Sequence, residues 1–342
     1  MLQYIKDVLD LKEGSFVLIE AEKVLMHYSF IEPIIEFIRH NENITFKVTN
    51  KPDNRKYLLR IHKPISDGFS GLQHTRDGLQ SEMVFLREID QKNILKVQRP
   101  VLNKEGELVT EYISDQFGTS YATLLEWIEG STLSQNEDNI DQIIYRLGEN
   151  LASLHEFSQT LMPLELHRPV YNAKRIDETL TELRQGTNNA ILNQEDYDVI
   201  NSVLSIVKEQ LVELDSRENT WGYIHADFQL GNVIVSEQNQ YPFLIDYCLF
   251  GYGYYLFDLG SASSMLKSEL RKTFLDGYAS KTSFSFDDIR YIEGQIFMDI
   301  FISYVFFIND SEKNGWIKEH ASKICNTLCR DFLEGKEVYY AF

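Results

Sequence analysis

Four side chains of this 342-residue chain have types and spacing suited to phosphoryl transfer: His225, Asp227 and Asn232 in WGYIHADFQLGNVIV, then Asp246 in PFLIDYCLF. Transfer from ATP asks for a carboxylate to aim the accepting hydroxyl, plus an amide oxygen and a second carboxylate to hold magnesium against the phosphates. H-x-D-x-x-x-x-N followed by I-D supplies those groups in order. His225 and Asp227 are the expected catalytic residues, Asp227 being the one that reaches the substrate. With an ordinary carboxyl pKa of about 3.9 it is a weak ground-state base, so its expected work is to aim the hydroxyl and take the proton late. Asn232 and Asp246 are the expected metal ligands, being hard oxygen donors of the kind magnesium takes beside substrate phosphates. His225 is expected to brace the loop. A lone H-x-D pair would read as a turn capped by Asn232. The coincidence of the spaced Asn, the NVIV run, a turn at Ser236 to Gln240 and the FLI run ending in Asp246 favours the chemical reading.

These groups need elements to hold them. NITFKVTN and RKYLLRIHK are apolar, β-branched or aromatic runs joined by the turn-forming KPDN, so they predict a hairpin, with NEN as a polar loop before the first strand. Backbone amides from Asn41 to Thr45 are candidates to approach phosphate, with Asn43 and Thr45 among the nucleotide-binding set; no G-x-x-x-x-G-K-[ST] motif occurs. Leu58 and Arg60 share one strand face. Glu82 sits in LQSEMVFLREI, on a helical pattern with Met83, Leu86 and Ile89, and is expected to pair with Arg60. In TSYATLLEWIEGSTL a strand runs through Leu124 and Leu125 into Glu126 and Trp127, and Gly130 lets the chain turn. Beyond it the pattern is helical: IDQIIYRLGENLASLHEFS, DYDVINSVLSIVKEQLVEL, GQIFMDIFISYVFFI and HASKICNTLCRDFL. His155 in the first of these is expected to be packed or capping.

IHADFQLGNVIV through LIDYCLFGYGYYLFDLG resembles the aminoglycoside phosphotransferase-like enzymes, with their choline and homoserine kinase relatives, and the likeness runs through most of the chain. The resemblance implies an α+β, protein-kinase-like two-lobe fold. A small antiparallel-sheet nucleotide lobe would span residues 1–125, a hinge 126–130, and a mostly helical catalytic and acceptor-binding lobe 131–342. It implies ATP and Mg2+ as cofactors, Asp258 as a support behind the catalytic loop, and Arg60 in the place of a phosphate-binding Lys. It also implies that hinge backbone at Glu126, Trp127 and Ile128 holds the adenine edge. Gln229 and Cys248 stand where close relatives often have His and Asp. The implied activity is that of a small-molecule kinase with a hydroxylated acceptor resembling an aminoglycoside, homoserine or choline. A catalytically silent kinase-fold binding protein and a Ser/Thr protein kinase are the alternatives.

Composition sets bounds. Hydrophobic residues at 43% and charged residues at 25% suit a globular chain large enough for two lobes. A formal net charge of -19 argues against nucleic-acid binding, which relies on Lys and Arg meeting phosphates, and suits a cationic acceptor. Three cysteines make no disulfide framework; Cys325 and Cys329 read as buried thiols. MLQYIKDVLDL lacks a secretory pattern, and the run from Ile296 to Ile308 reads as too short to cross a bilayer and carries Asp299. A cytoplasmic protein with no membrane partner is expected.

Overall fold

A computed structural model of the chain describes residues 16–40, 43–63, 71–160 and 166–342. Asn41 and the amino-terminal MLQYIKDVLDL, on which two expectations rest, lie outside the described residues. The chain divides into two compact units, Met1–Glu129 and Gly130–Phe342.

In the first unit, helix α1 (residues 16–25) precedes β1 (Ile34–His40), β2 (Asn43–Asn50), β3 (Arg55–His62), α2 (Arg76–Gln91), β4 (Val109–Ser114) and β5 (Gly118–Glu126). The five strands form one antiparallel sheet in the order β1-β2-β3-β5-β4. The expected hairpin is β2–β3, turned through Asn54 at φ 55. The polar NEN loop does not precede the first strand, however, because IIEFIRH already forms β1. That strand escapes an alternation pattern: it is mostly exposed, and its register shifts between Phe37 and Arg39. Strand parity sorts the two sheet faces. Ile44, Phe46, Val48, Leu59, Ile61, Ala122 and Leu124 pack against Val17, Ala21, Val24 and Leu25 of α1 to form the core. Thr45, Arg60 and Thr123, paired in register across three strands, share the other face. Helix α2 starts at Thr75, whose hydroxyl accepts from the Gly78 amide at 3.0 Å, and brings Glu82 to Arg60.

The second unit is mostly helical. It runs β6 (Ser131–Thr132), α3 (Ile140–Thr160), β7 (Val170–Tyr171), α4 (Ala173–Asn188), α5 (Gln194–Asp215), β8 (Trp221–Ile224), β9 (Val233–Val235), β10 (Pro242–Leu244) and β11 (Gly251–Tyr254). Helices α6 (Tyr255–Met265), α7 (Ser268–Ala279), α8 (Ile289–Ile308), α9 (Ile317–Ile324) and α10 (Arg330–Leu333) follow, the last two joined by a π-helical turn at Cys325–Cys329 with both thiols buried. Two three-stranded sheets, β10-β9-β6 and β7-β11-β8, frame the motif segment. Gly130 serves close approach: a β-carbon there would meet the Val235 carbonyl oxygen at 2.3 Å.

Helix α8 corrects the reading of the Ile296–Ile308 run. The helix begins earlier, because buried Glu293 accepts the Val338 and Tyr339 amides and so sits inside an apolar helix without cost to its pattern. Among the described residues, Phe286–Ile308 is long and apolar enough to cross a membrane, and about two-thirds of its 18-residue apolar stretch is buried within the fold, as in a core helix.

Candidate active site

The loop between β8 and β9 is built around Asp258. This carboxylate, fully buried in the first turn of α6, accepts the His225 amide at 2.7 Å on one oxygen and the Ala226 amide at 2.8 Å on the other. Ala226 has φ 61, a left-handed conformation that costs an alanine about 1 kcal/mol or more and that these bonds hold in place. His155 of α3 braces the same carboxylate, donating from Nε2 at 3.1 Å while its Nδ1 accepts from the Tyr278 hydroxyl at 2.8 Å. The expectation that His155 is packed thus misses its partner.

His225 is fully buried, and burial holds its imidazole below the usual range despite the nearby carboxylates of Asp258 and Asp246. Its Nε2 donates to the Ile245 carbonyl at 3.1 Å, which leaves Nδ1 to accept the Asp227 amide at 3.3 Å. The ring ties the loop to the residue before Asp246.

Asp227 is gripped on both oxygens. Gln229 Nε2 donates to Oδ1 at 2.9 Å, and Asn232 Nδ2 donates to Oδ2 and to the Asp227 carbonyl, each at 3.0 Å. Its carboxyl is not the ordinary weak base expected. Burial, then the charges of Asp246 and Asp299, push it up to about 7 against those two amide bonds. Asp299 itself, on α8, is pushed up to about 6 by burial. Ser261 Oγ reaches the Phe228 carbonyl at 3.4 Å and is also a hydrogen-bond partner of Asp299. An acid in the most apolar helix was the signal for Asp299, legible only as an interruption of that helix.

The metal ligand set can be tested on its own chemistry. The Asn232 amide nitrogen is spent on Asp227, which leaves its Oδ1 as the atom able to ligate a metal. The Ile245 amide bonds the Asn232 carbonyl at 2.9 Å, which sets Asp246 beside Asn232, and Asp246 takes the left-handed φ of 64. Among the described residues no group of three or more His, Cys, Asp or Glu side chains forms a metal cage. One amide oxygen and one carboxylate fit magnesium, which completes its shell with phosphate oxygens and water.

In the first unit, Arg60 and Glu82 do pair, at 2.8 Å, with both side chains buried. Arg60 Nε donates to Thr123 Oγ1 at 3.2 Å; that hydroxyl bonds His62 Nε2 at 2.9 Å, and His62 Nδ1 bonds Asn43 Oδ1 at 2.9 Å. Burial and then Arg60 hold His62 well below its usual range, so the ring is neutral and relays the chain of bonds. Asn43 and Thr45 are therefore tied to the sheet by their side chains, the Thr45 hydroxyl donating to the Arg39 carbonyl at 3.2 Å. At the end of β5 the Glu126 and Trp127 amides donate to the carbonyls of Arg99 and Lys56 at 2.8 and 3.0 Å. Of the three residues expected to read adenine, Ile128 alone has an amide not so engaged among the described residues.

A sequence model described as the phosphotransferase enzyme family matches residues 34–291, more than half of the chain. An uncharacterized protein of Synechocystis sp. is 25% identical over 231 residues, 66% of this chain and 59% of that protein. This chain thus spans less than two thirds of that relative's length. Among solved structures, a microcompartment-associated aminopropanol kinase superposes with a TM-score of 0.75 at 19% identity, covering 93% of this chain and 98% of the other. An amicoumacin kinase in complex with AMP-PNP, Ca2+ and its ligand gives 0.72 at 16%, covering 97% of each. A choline kinase from Cryptosporidium parvum gives 0.61 at 17%, covering 90% of each. At these identities the likeness is one of fold, which is the protein-kinase-like fold expected above.

Proposed function

Because this chain belongs to the phosphotransferase enzyme family, we propose that it moves the γ-phosphoryl group of ATP to a hydroxyl of a small molecule, in the cytoplasm and with magnesium. The observation that carries this reading is the Asp227 carboxylate, held on both oxygens by Gln229 and Asn232 on a loop whose backbone Asp258 fixes. Asp227 orients the acceptor hydroxyl and takes its proton as the bond to phosphorus forms, and its raised affinity for a proton suits that task. Magnesium held by Asn232 Oδ1 and Asp246 supplies charge neutralisation at the transferring phosphates. His225 and Asp258 keep the loop in place without touching substrate. In the first unit Arg60, oriented by Glu82, offers its guanidinium to phosphate, with Asn43 and Thr45 near the phosphate loop and Ile128 reading adenine.

The acceptor is proposed to be aminoglycoside-, homoserine- or choline-like. The proteins of similar fold are described as kinases of aminopropanol and choline, both nitrogen-bearing alcohols. Asp227 and Asp299 interact electrostatically in the second unit, and acids gathered in one region favour a cationic molecule. The net charge of -19 speaks against a nucleic-acid partner. The test is a coupled ADP-release screen over hydroxylated and aminated metabolites. Release dependent on both acceptor and magnesium supports the reading. A protein that binds no nucleotide and turns over no acceptor is instead a silent kinase-fold binding protein.

A further inference from the structure

The turn after Asp246 is held by a residue outside every motif read from the sequence. Arg168, 3% exposed, lies two residues before Val170 of β7. Its Nε donates to the Phe250 carbonyl at 2.8 Å, and its Nη2 donates to the Tyr247 carbonyl at 3.4 Å and to the Cys248 carbonyl. The guanidinium also lies over the Phe250 ring, 4.2 Å from its centroid. Tyr171 completes the set, its hydroxyl donating to the Leu249 carbonyl at 2.7 Å. Four consecutive carbonyls, from Tyr247 to Phe250, therefore point at two side chains of one short segment. Just downstream the Tyr252 amide returns a bond to the Pro169 carbonyl at 2.9 Å, locking the two segments together. The five N–H donors of arginine's planar fork, spread over three nitrogens, suit carbonyls spaced along a turn better than a lysine's single ammonium.

What this clamp holds is Asp246. That residue sits at φ 64, a left-handed conformation that costs an L-residue about 1–2 kcal/mol, although Asp tolerates it better than most. Released from the clamp, the turn would let Asp246 relax towards an ordinary backbone conformation and swing its carboxylate away from Asn232. We infer that Arg168 is a positioning residue for the metal carboxylate: by pinning the carbonyls of Tyr247, Cys248 and Phe250 it sets Asp246 to share one divalent cation with Asn232. The inference rests on the proposed role of Asp246 as a magnesium ligand.

The experiment is a magnesium titration of ATP-dependent thermal stabilisation in the full chain, run on wild type, Arg168→Met, Arg168→Lys and Asp246→Asn. Removing a group that orients a metal ligand typically costs about 10–100-fold in metal affinity. Arg168→Met should therefore need about tenfold or more magnesium for half-maximal stabilisation. Arg168→Lys, which keeps the charge but reaches fewer carbonyls, should fall between. A merely structural role would lower the melting temperature equally with magnesium and with chelator, and leave the magnesium requirement where it was. If Asp246→Asn loses the metal dependence while Arg168→Met keeps that of wild type, the clamp is overturned and the ligand assignment stands. Wild-type magnesium dependence in Asp246→Asn overturns both. Should Arg168→Met not fold, Arg168→Lys decides: a raised requirement supports the clamp, and an unchanged one overturns it.

Discussion

Asp258 shows how much one residue can carry when both of its oxygens are used. In Asp258→Asn one oxygen becomes an NH2 group that faces an amide, either that of His225 or that of Ala226. A buried donor left facing a donor costs about 1–3 kcal/mol. Denaturant unfolding should show a loss of that size, and the loop's left-handed Ala226 should lose its restraint. Asp227, Asn232 and Asp246 were legible as candidates because phosphoryl transfer would ask for their types, Asp227 and Asn232 sharing one loop and Asp246 following the next hairpin. The state of Asp227 was not legible. Its carboxyl is pushed up to about 7 by burial and by Asp246 and Asp299, and neither burial nor the nearness of a residue 72 positions away can be read from a local motif. Gln229 stood out only as a departure from a pattern, and its bond to Asp227 is a property of the folded loop. Arg168 gave no signal at all, since HRPVY matches no motif and its partners are carbonyls, which every sequence has.

The elements that hold this site depend on close helix packing. Helices α3 and α7 cross where Gly148 faces Gly277: a β-carbon on Gly148 would lie 2.2 Å from the Phe274 carbonyl oxygen, and one on Gly277 would lie 2.0 Å from that of Tyr145. The same two helices carry His155 and Tyr278, the chain of bonds that ends on Asp258. Gly277→Ala should therefore destabilise the chain by about 1–3 kcal/mol by overpacking, although alanine is favoured over glycine in a helix by about 1 kcal/mol. Thermal or denaturant unfolding checks the sign; a stabilised variant would show that the helices can part at no cost. Period and turn residues were enough to find β2, β3, α2, α3 and α5, whose apolar positions alternate or recur at helical spacing. They failed for β1, where Ile34, Phe37 and Ile38 stay exposed along a shifted edge. They also started α8 too late, its first turn, Ile289 to Glu293, carrying the charged Arg290 and Glu293.

For the molecule as a whole, stability depends on pH partly through the buried carboxyl of Asp299. Burial pushes its carboxyl up to about 6 in the folded chain, against an ordinary value of about 3.8 when unfolded. Between those values the folded state binds more protons, so this residue's contribution to stability falls as pH rises and its full cost is present above pH 6. Asp299→Asn should remove that cost, stabilising the protein at pH 7 by up to about 3 kcal/mol and flattening the wild-type decline from pH 4 to 6. Parallel pH–stability curves for the two proteins would contradict this. The functional reading rests most directly on turnover by Asp227→Asn, measured on the acceptor found by the ADP-release screen and alongside nucleotide affinity. The substitution keeps shape and removes the proton acceptor, so turnover should fall by about 100-fold or more, with ATP binding preserved because the proposed metal ligands are Asn232 and Asp246. Wild-type turnover in Asp227→Asn would remove Asp227 from the chemistry and contradict the mechanism.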